Sequence, residues 1–306
     1  MLGFKRYNYH HFTRDVLMKD VAKSRFGSGP EAGERAPDFE GRTLDGDKIR
    51  LSDFKGDKNV VLTFGSATCP FTASSIRGLN GLHDQYDGDE VQFLFVYVRE
   101  AHPGEKLRAH RRLEDKIEAA ERFRDDEDVE VPIVVDELDG RIHKKYGTLP
   151  NPSYLIDKSG RVAFRALWTR PRVLQQALDE LLERQEERDT EHAIVQGGED
   201  SSTPLTYAAL FTHRALDRGG RKAVEDFRAE MGRAGAVVHT ASRVVGPVAL
   251  HPWRALTGAV IAGGVITGGL MLGRTLRQRR LRARAPYSFE VPQQRRTAEG
   301  DYAVGI

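Results

Sequence analysis

Two apolar runs constrain this chain more than anything else in it: "NVVLTFG" (59–65) and "VQFLFVYV" (91–98). Neither alternates polar with apolar residues. Each therefore predicts a strand buried on both faces, as in a parallel sheet covered on both sides. Between them "CPFTASSIRGLNGLHDQY" sets Ile76, Leu79, Leu82 and Tyr86 at helical spacing, although Gly78 and Gly81 weaken the helix. A strand, helix and parallel strand in one sheet close through a right-handed crossover. Both strands then end on the same edge, where open α/β sheets bind ligands.

The rest of residues 36–188 continues the pattern. "KIRLSDF" is a short edge-like strand, and "EKLRAHRRLEDKIEAAERFRDD" has the composition of a long exposed helix. "VPIVVD" reads as a strand, "LDGRIHKKYG" as a short helix, and "SYLID-KSG-RVAFRA" as an antiparallel hairpin. "RPRVLQQALDELLERQEE" closes the region as an amphipathic helix, with Val173, Leu174, Leu178, Leu181 and Leu182 on one face. The order β-α-β-α-β-α-β-β-α predicts an α/β, thioredoxin-like sandwich.

The flanks differ in character. Residues 1–35 form a polar arm with one short helix in "RDVLMKDVAKSRFG", and no secretory signal is legible. Residues 189–204 are a linker, and 205–250 a helical segment with helices around 205–217 and 221–234. Residues 251–285 form a candidate membrane helix with a basic flank, and 286–306 a polar tail. Within the former, 255–273 is uncharged over 19 residues, close to the roughly 20 that span a bilayer. Gly264 and Gly268, and Gly269 and Gly273, have the spacing that lets membrane helices approach closely. The expected location is a membrane surface with the catalytic domain cytoplasmic. The arginines after the apolar segment conflict with export of the N-terminal part, so the orientation stays open.

The chain holds one cysteine, Cys69, in 306 residues with net charge +2. An intramolecular disulfide is excluded, so a redox cycle needs a thiol from another molecule. No bound cofactor, metal or nucleic-acid partner is expected. The expected partners are a small-molecule substrate and an external thiol or thioredoxin-type reductant, with a homodimer left open. Cys69 follows the first apolar strand, and Pro70 suits the first position of a helix. A thiol there faces free backbone N–H groups and the positive helix end, which predicts a lowered pKa. Ser66, Thr68 and Thr72 supply hydroxyls nearby. Glu100 and His102, in "YVREAHPGE", follow the second strand and should meet Cys69 at the same edge. There an imidazole can move a proton beside a thiolate. Pro152, in "LPNPSYLID", opens a later strand, and a cis peptide facing the cysteine is expected.

These residues carry a resemblance. Phe64, Gly65, Ser66, Cys69 and Pro70, then Tyr97, Glu100, Ala101, His102 and Pro103, then His110, Arg111, Leu113 and Asp115 resemble the motifs of the iodothyronine deiodinases. The likeness covers about residues 34–185. It implies that Cys69 stands where that family has selenocysteine and acts as a nucleophile on a halogen. It also implies that Glu100, His102 and His110 handle protons and orientation, with Tyr97 and Arg111 in support. Ala67 replaces the family's additional cysteine, and Arg165 or Arg170 is the candidate for its substrate-gripping residue. Glutathione peroxidases share Thr72, whereas peroxiredoxins would have a proline at Leu62 and a threonine at Ser66. Three functions follow: a single-cysteine, deiodinase-like oxidoreductase; a one-cysteine, peroxiredoxin-like thiol peroxidase; and a redox-silent membrane adaptor.

Overall fold

In the computed structural model, residues 7–25, 29–86, 88, 90–195 and 202–250 are described. The apolar segment 255–273 and the tail lie outside them. The arm carries helix α1 (Arg14–Arg25). Strands β1 (Glu40–Thr43) and β2 (Lys48–Arg50) form an edge hairpin, followed by a 3₁₀ turn (Leu51–Phe54). Strand β3 (Asn59–Gly65), helix α2 (Pro70–Tyr86) and strand β4 (Val91–Tyr97) are the expected crossover unit, and β3 and β4 are parallel. Helix α3 (Leu113–Glu127), strand β5 (Ile133–Val135) and helix α4 (Arg141–Lys145) follow. Strands β6 (Ser153–Ile156) and β7 (Val162–Ala166) are antiparallel, and helix α5 (Pro171–Arg188) closes the sandwich. The seven-stranded sheet runs β2-β1-β5-β4-β3-β6-β7. The fold is thioredoxin-like.

Every residue of β3 is buried. Successive side chains point to opposite faces of a strand, so the run feeds two cores. Val61 joins Phe93, Phe95, Tyr97, Leu155 and residues of α2, α3 and α5 on one face. Val60, Leu62 and Phe64 join Leu94, Val96, Tyr146 and Tyr154 on the other. Each such side chain contributes roughly 1.5–3 kcal/mol on full burial. This explains why neither run alternates.

The segment expected to be one long exposed helix behaves differently. Helix begins only at Leu113, because the Asp115 carboxylate accepts the backbone N–H groups of Arg111 (3.3 Å) and Arg112 (3.1 Å). Residues 105–112 remain a loop, and that loop carries His110 to the sheet edge. The helix is also less exposed than its composition suggests, with Lys116, Ala119, Ala120 and Phe123 buried.

Helices α6 (Ser202–Gly219) and α7 (Arg221–Leu250) extend the two short helices read from sequence. They do not stand apart from the sandwich. Lys106 N–H donates to the Gly219 carbonyl (3.0 Å), and Glu105 accepts the N–H groups of Arg221 (2.6 Å) and Lys222 (2.8 Å). α7 breaks at Gly232, whose φ of 59° and ψ of −146° belong to a region open essentially to glycine alone. Gly104 sits so close to Gly219 that any side chain on it would strike the Gly219 carbonyl. Both partners there are backbone, so neither can turn aside. Gly104→Ala is expected to destabilise the chain by about 1–3 kcal/mol, read as a lower urea midpoint. An unchanged midpoint would show that the helix pair is not held against this loop.

Candidate active site

The site is assembled by two turns that leave the sheet side by side. At the end of β3 the Cys69 N–H donates to the Ser66 carbonyl (3.2 Å), and Ala73 N–H donates to the Cys69 carbonyl (3.0 Å), starting α2. Pro70 takes the first helical position, as expected. At the end of β4 the chain turns through Arg99, Glu100, Ala101 and His102, all buried.

Glu100 ties the turns together. Its carboxylate accepts the Thr68 N–H (3.0 Å), the Thr68 hydroxyl (2.6 Å) and the Tyr97 hydroxyl. His110 Nε2 lies 3.4 Å away, within ion-pairing range. Burial alone would raise the Glu100 pKa, yet His110, Thr68 and Tyr97 outweigh it and hold the carboxyl below its usual value. Thr68 Oγ1 also accepts the His102 N–H (3.0 Å), and Ser66 Oγ accepts the Ala101 N–H (3.2 Å). Cys69, Glu100, His102 and His110 are thus brought to one edge, with Ser66, Thr68, Thr72 and Tyr97 around them.

The thiol departs from expectation. Cys69 is only 1% exposed. Burial pushes its pKa up, although the Phe71 and Thr72 N–H groups and the Thr72 hydroxyl pull the other way. The helix N-terminus is present as read from sequence, but desolvation wins. The imidazoles are also shaped by burial. His102 is pushed down to about 3, with the Glu100 charge opposing. Its Nδ1 has no hydrogen-bond partner among the described residues, and its ring lies between Phe12 (centroids 4.2 Å apart) and Phe227 (5.5 Å).

One other sequence expectation is corrected. Among the described residues no peptide bond is cis, so the bond to Pro152 is trans. The strand is led in by Asn151 instead, whose Nδ2 donates to the Phe64 carbonyl (2.8 Å) and whose Oδ1 accepts the Thr169 N–H (3.1 Å). Arg111 is exposed and only its backbone N–H is used, at the start of α3. Arg165 is paired with Glu31 (2.7 Å).

Several site residues escaped the sequence reading. The arm lies across the edge: Tyr9 OH donates to the Ala101 carbonyl (2.8 Å), and Phe12 covers His102. Arg99 holds the arm by an ion pair with buried Asp20 and by donating to the Tyr7 carbonyl (3.1 Å). From α6, Arg218 donates to the Ala67 carbonyl (3.4 Å), two residues before the cysteine, and is paired with Glu127. Arg99 alone carried a signal, lying inside the "YVREAHP" segment. Among the described residues no group of His, Cys, Asp or Glu is arranged to hold a metal ion.

The family model for iodothyronine deiodinase matches residues 11–185, more than half of the chain. The chain belongs to the iodothyronine deiodinase family. It is 27% identical over 165 residues to the type I iodothyronine deiodinase of Xenopus laevis, covering 51% of this chain and 64% of that one. It is 32% identical over 162 residues to the thiol-disulfide oxidoreductase ResA of Bacillus thuringiensis, covering 53% and 76%. The exposed lipoprotein thioredoxin of Streptococcus pneumoniae superposes with a TM-score of 0.38 at 27% identity, over 47% of this chain and all of that one. The match spans just under two thirds of the Xenopus enzyme. Helices α6 and α7 lie beyond the matched residues.

Two outcomes follow from the pKa shifts. With a raised thiol pKa, thiolate absorbance of the folded chain, measured against Cys69→Ser, appears only above the pH of about 8.5 at which free cysteine titrates. A thiolate already formed at pH 7 would contradict the burial argument. Buried His102 and His143 are both held below the ordinary histidine value, by desolvation first. The unfolded chain therefore binds more protons than the native one once the pH drops below about 6.5. Stability is full above that pH and lost progressively below it. The urea midpoint should be lower at pH 5 than at pH 7; equal midpoints would mean that the histidines are not buried neutral.

Proposed function

We propose that the chain is a single-cysteine, thiol-dependent reductive dehalogenase acting on a halogenated phenol. The observation that carries this reading is the meeting, around the Glu100 carboxylate, of the turn that bears Cys69 and the turn that bears His102, both hydrogen-bonded through Thr68, with His110 Nε2 3.4 Å from the carboxylate. Family membership points to the halogen as the atom attacked.

The Cys69 thiolate attacks the halogen and forms a sulfur–halogen bond. The carbon–halogen bond breaks, and the ring carbon takes up a proton. An external thiol then displaces halide from sulfur, giving a mixed disulfide. A second thiol releases Cys69 as thiol and leaves as the disulfide of the reductant. In sum, one aryl halide and two thiols give one arene, one hydrogen halide and one disulfide. No second cysteine exists in the chain, so both thiols come from outside. Glu100 is suited to stay ionised throughout, because its hydrogen bonds and His110 hold its carboxyl below the usual value, and His110 Nε2 stands 3.4 Å from it. That pair is the proton reserve. Tyr97, whose pKa burial and the Glu100 charge push well up, remains a neutral donor.

Peroxide reduction is the second reading. It is favoured by the near-complete burial of Cys69, which a small oxidant tolerates better than a ring does. The uncharged segment 255–273 is the proposed membrane attachment, while no helix among the described residues is long and apolar enough to cross a bilayer. Alkaline extraction of membranes should leave the full chain in the pellet and release a chain ending at residue 250. Release of both would remove the attachment.

The deciding assay uses the full chain with dithiothreitol. Halide release from an iodinated phenol and loss of hydrogen peroxide are measured side by side, with Cys69→Ser as control. Halide release that falls at least about a hundredfold in the variant supports the first reading. Cysteine-dependent loss of peroxide alone would replace it with the second, and no cysteine-dependent turnover would remove both.

A further inference from the structure

The arm places a phenol of its own at the catalytic edge. Tyr9 is half-buried, its ring lies 5.0 Å from the Arg99 guanidinium carbon, and its hydroxyl donates to the Ala101 carbonyl (2.8 Å). Ala101 stands between Glu100 and His102, the two residues that join the thiol's network. Phe12, three residues on, covers the His102 ring, whose Nδ1 is buried without a partner among the described residues. With the arm in this position Cys69 is 1% exposed.

The hold on the arm is polar and concentrated. Arg99 grips the Tyr7 carbonyl (3.1 Å) and Asp20, and Asp20 in turn accepts the Thr148 hydroxyl (2.7 Å). Tyr7 OH donates to His143 Nδ1 (2.7 Å), since His143 Nε2–H is committed to the Leu149 carbonyl (2.6 Å), which can only accept. Further along, His11 meets Asp226 (2.9 Å) and the Arg14 N–H meets Glu230 (2.9 Å) on α7. The arm's apolar contribution over the site is small: the Tyr9 ring and Phe12. A segment held this way can open locally without unfolding the sandwich.

We infer that the place filled by the Tyr9 ring, between the Ala101 carbonyl and the Arg99 guanidinium, is a phenol-binding seat, and that the arm is a displaceable cover whose tyrosine occupies it until a phenolic substrate takes its place. The inference rests on the reading of the substrate as a phenol. The recognition is chemical: one acceptor for a hydroxyl, one cationic face for an aromatic ring, and a buried thiol beside them. Substrate binding and uncovering of Cys69 become one event, because two phenols cannot share the seat.

The test uses the full-length chain and the rate at which iodoacetamide alkylates Cys69, the only thiol present. Alkylation tracks the population of the open form. Tyr9→Ala should raise the rate by at least about tenfold, and Tyr9→Phe, which keeps the ring and loses the hydroxyl, should raise it less. The urea midpoint of each variant shows that the sandwich is intact. p-Cresol, the free side chain of tyrosine, should then protect Cys69 in Tyr9→Ala, saturably and better than toluene does, while leaving the wild-type rate unprotected. Equal alkylation rates in wild type and Tyr9→Ala, or no better protection by p-cresol than by toluene, would overturn the seat. These readouts do not involve dehalogenation. They can succeed where halide release fails, and the reverse, so the two readings fall separately.

Discussion

One buried carboxylate holds the catalytic edge together. Glu100 reaches back to the turn before Cys69 through Thr68, down into the sheet through Tyr97, and across to the loop before α3 through His110. Removing an ion from water costs several kcal/mol, and only a full set of partners offsets it. That requirement fixes geometry. If any of the three contacts opened, the charge would be stranded in the interior, so the turn bearing the thiol, the turn bearing His102 and the loop bearing His110 are obliged to keep their places. Burial is what chiefly raises the thiol pKa, and the charge of the same carboxylate adds to it, so the group that orders the site also restrains it.

Restraint recurs throughout the site. Cys69 is buried, His102 is kept neutral and sandwiched between two phenylalanines, and the edge is covered from both ends of the folded chain. Phe12 from the arm and Phe227 from α7 meet over the same imidazole. A thiol guarded in this way resists stray oxidation, because reactivity follows thiolate character and exposure. Chemistry then depends on uncovering the site, which rehydrates both the thiol and the imidazole and relaxes the shifts that burial imposes.

What could be read from the sequence was local. The strand before Cys69, the proline that begins its helix and the second apolar run are short-range patterns with few physical interpretations. The crossover rule carried them to the juxtaposition of Cys69 with Glu100 and His102. Failures came where a side-chain contact or burial, rather than composition, decides. The helix-forming composition of residues 105–112 was overruled by Asp115, which takes the Arg111 and Arg112 N–H groups and fixes the start of α3 at Leu113. The lowered thiol pKa, inferred from the helix end, ignored the burial of the thiol, whose desolvation outweighs the helix end. The turn into β6 is made by the Asn151 side chain, with a trans proline after it. Tyr9 and Arg218 reach the site from about sixty residues before the cysteine and about a hundred and fifty after it, and no periodicity reports separations of that kind.

The break at Gly232 divides α7 by allegiance. Residues before it answer to the arm, through Asp226 and Glu230, and to His102, through Phe227. Residues after it answer to α6, where Ser242 Oγ accepts the His213 N–H (3.0 Å) and Arg243 pairs with Asp217 (2.7 Å). A straight rod would have to choose between these two docks. With a glycine hinge, the half that roofs the site keeps its own orientation, and the half that buttresses α6 is free to follow another. Arg228 reaches across the joint to His239 Nδ1 (3.1 Å), so the two halves are pinned at an angle that one straight helix could not give.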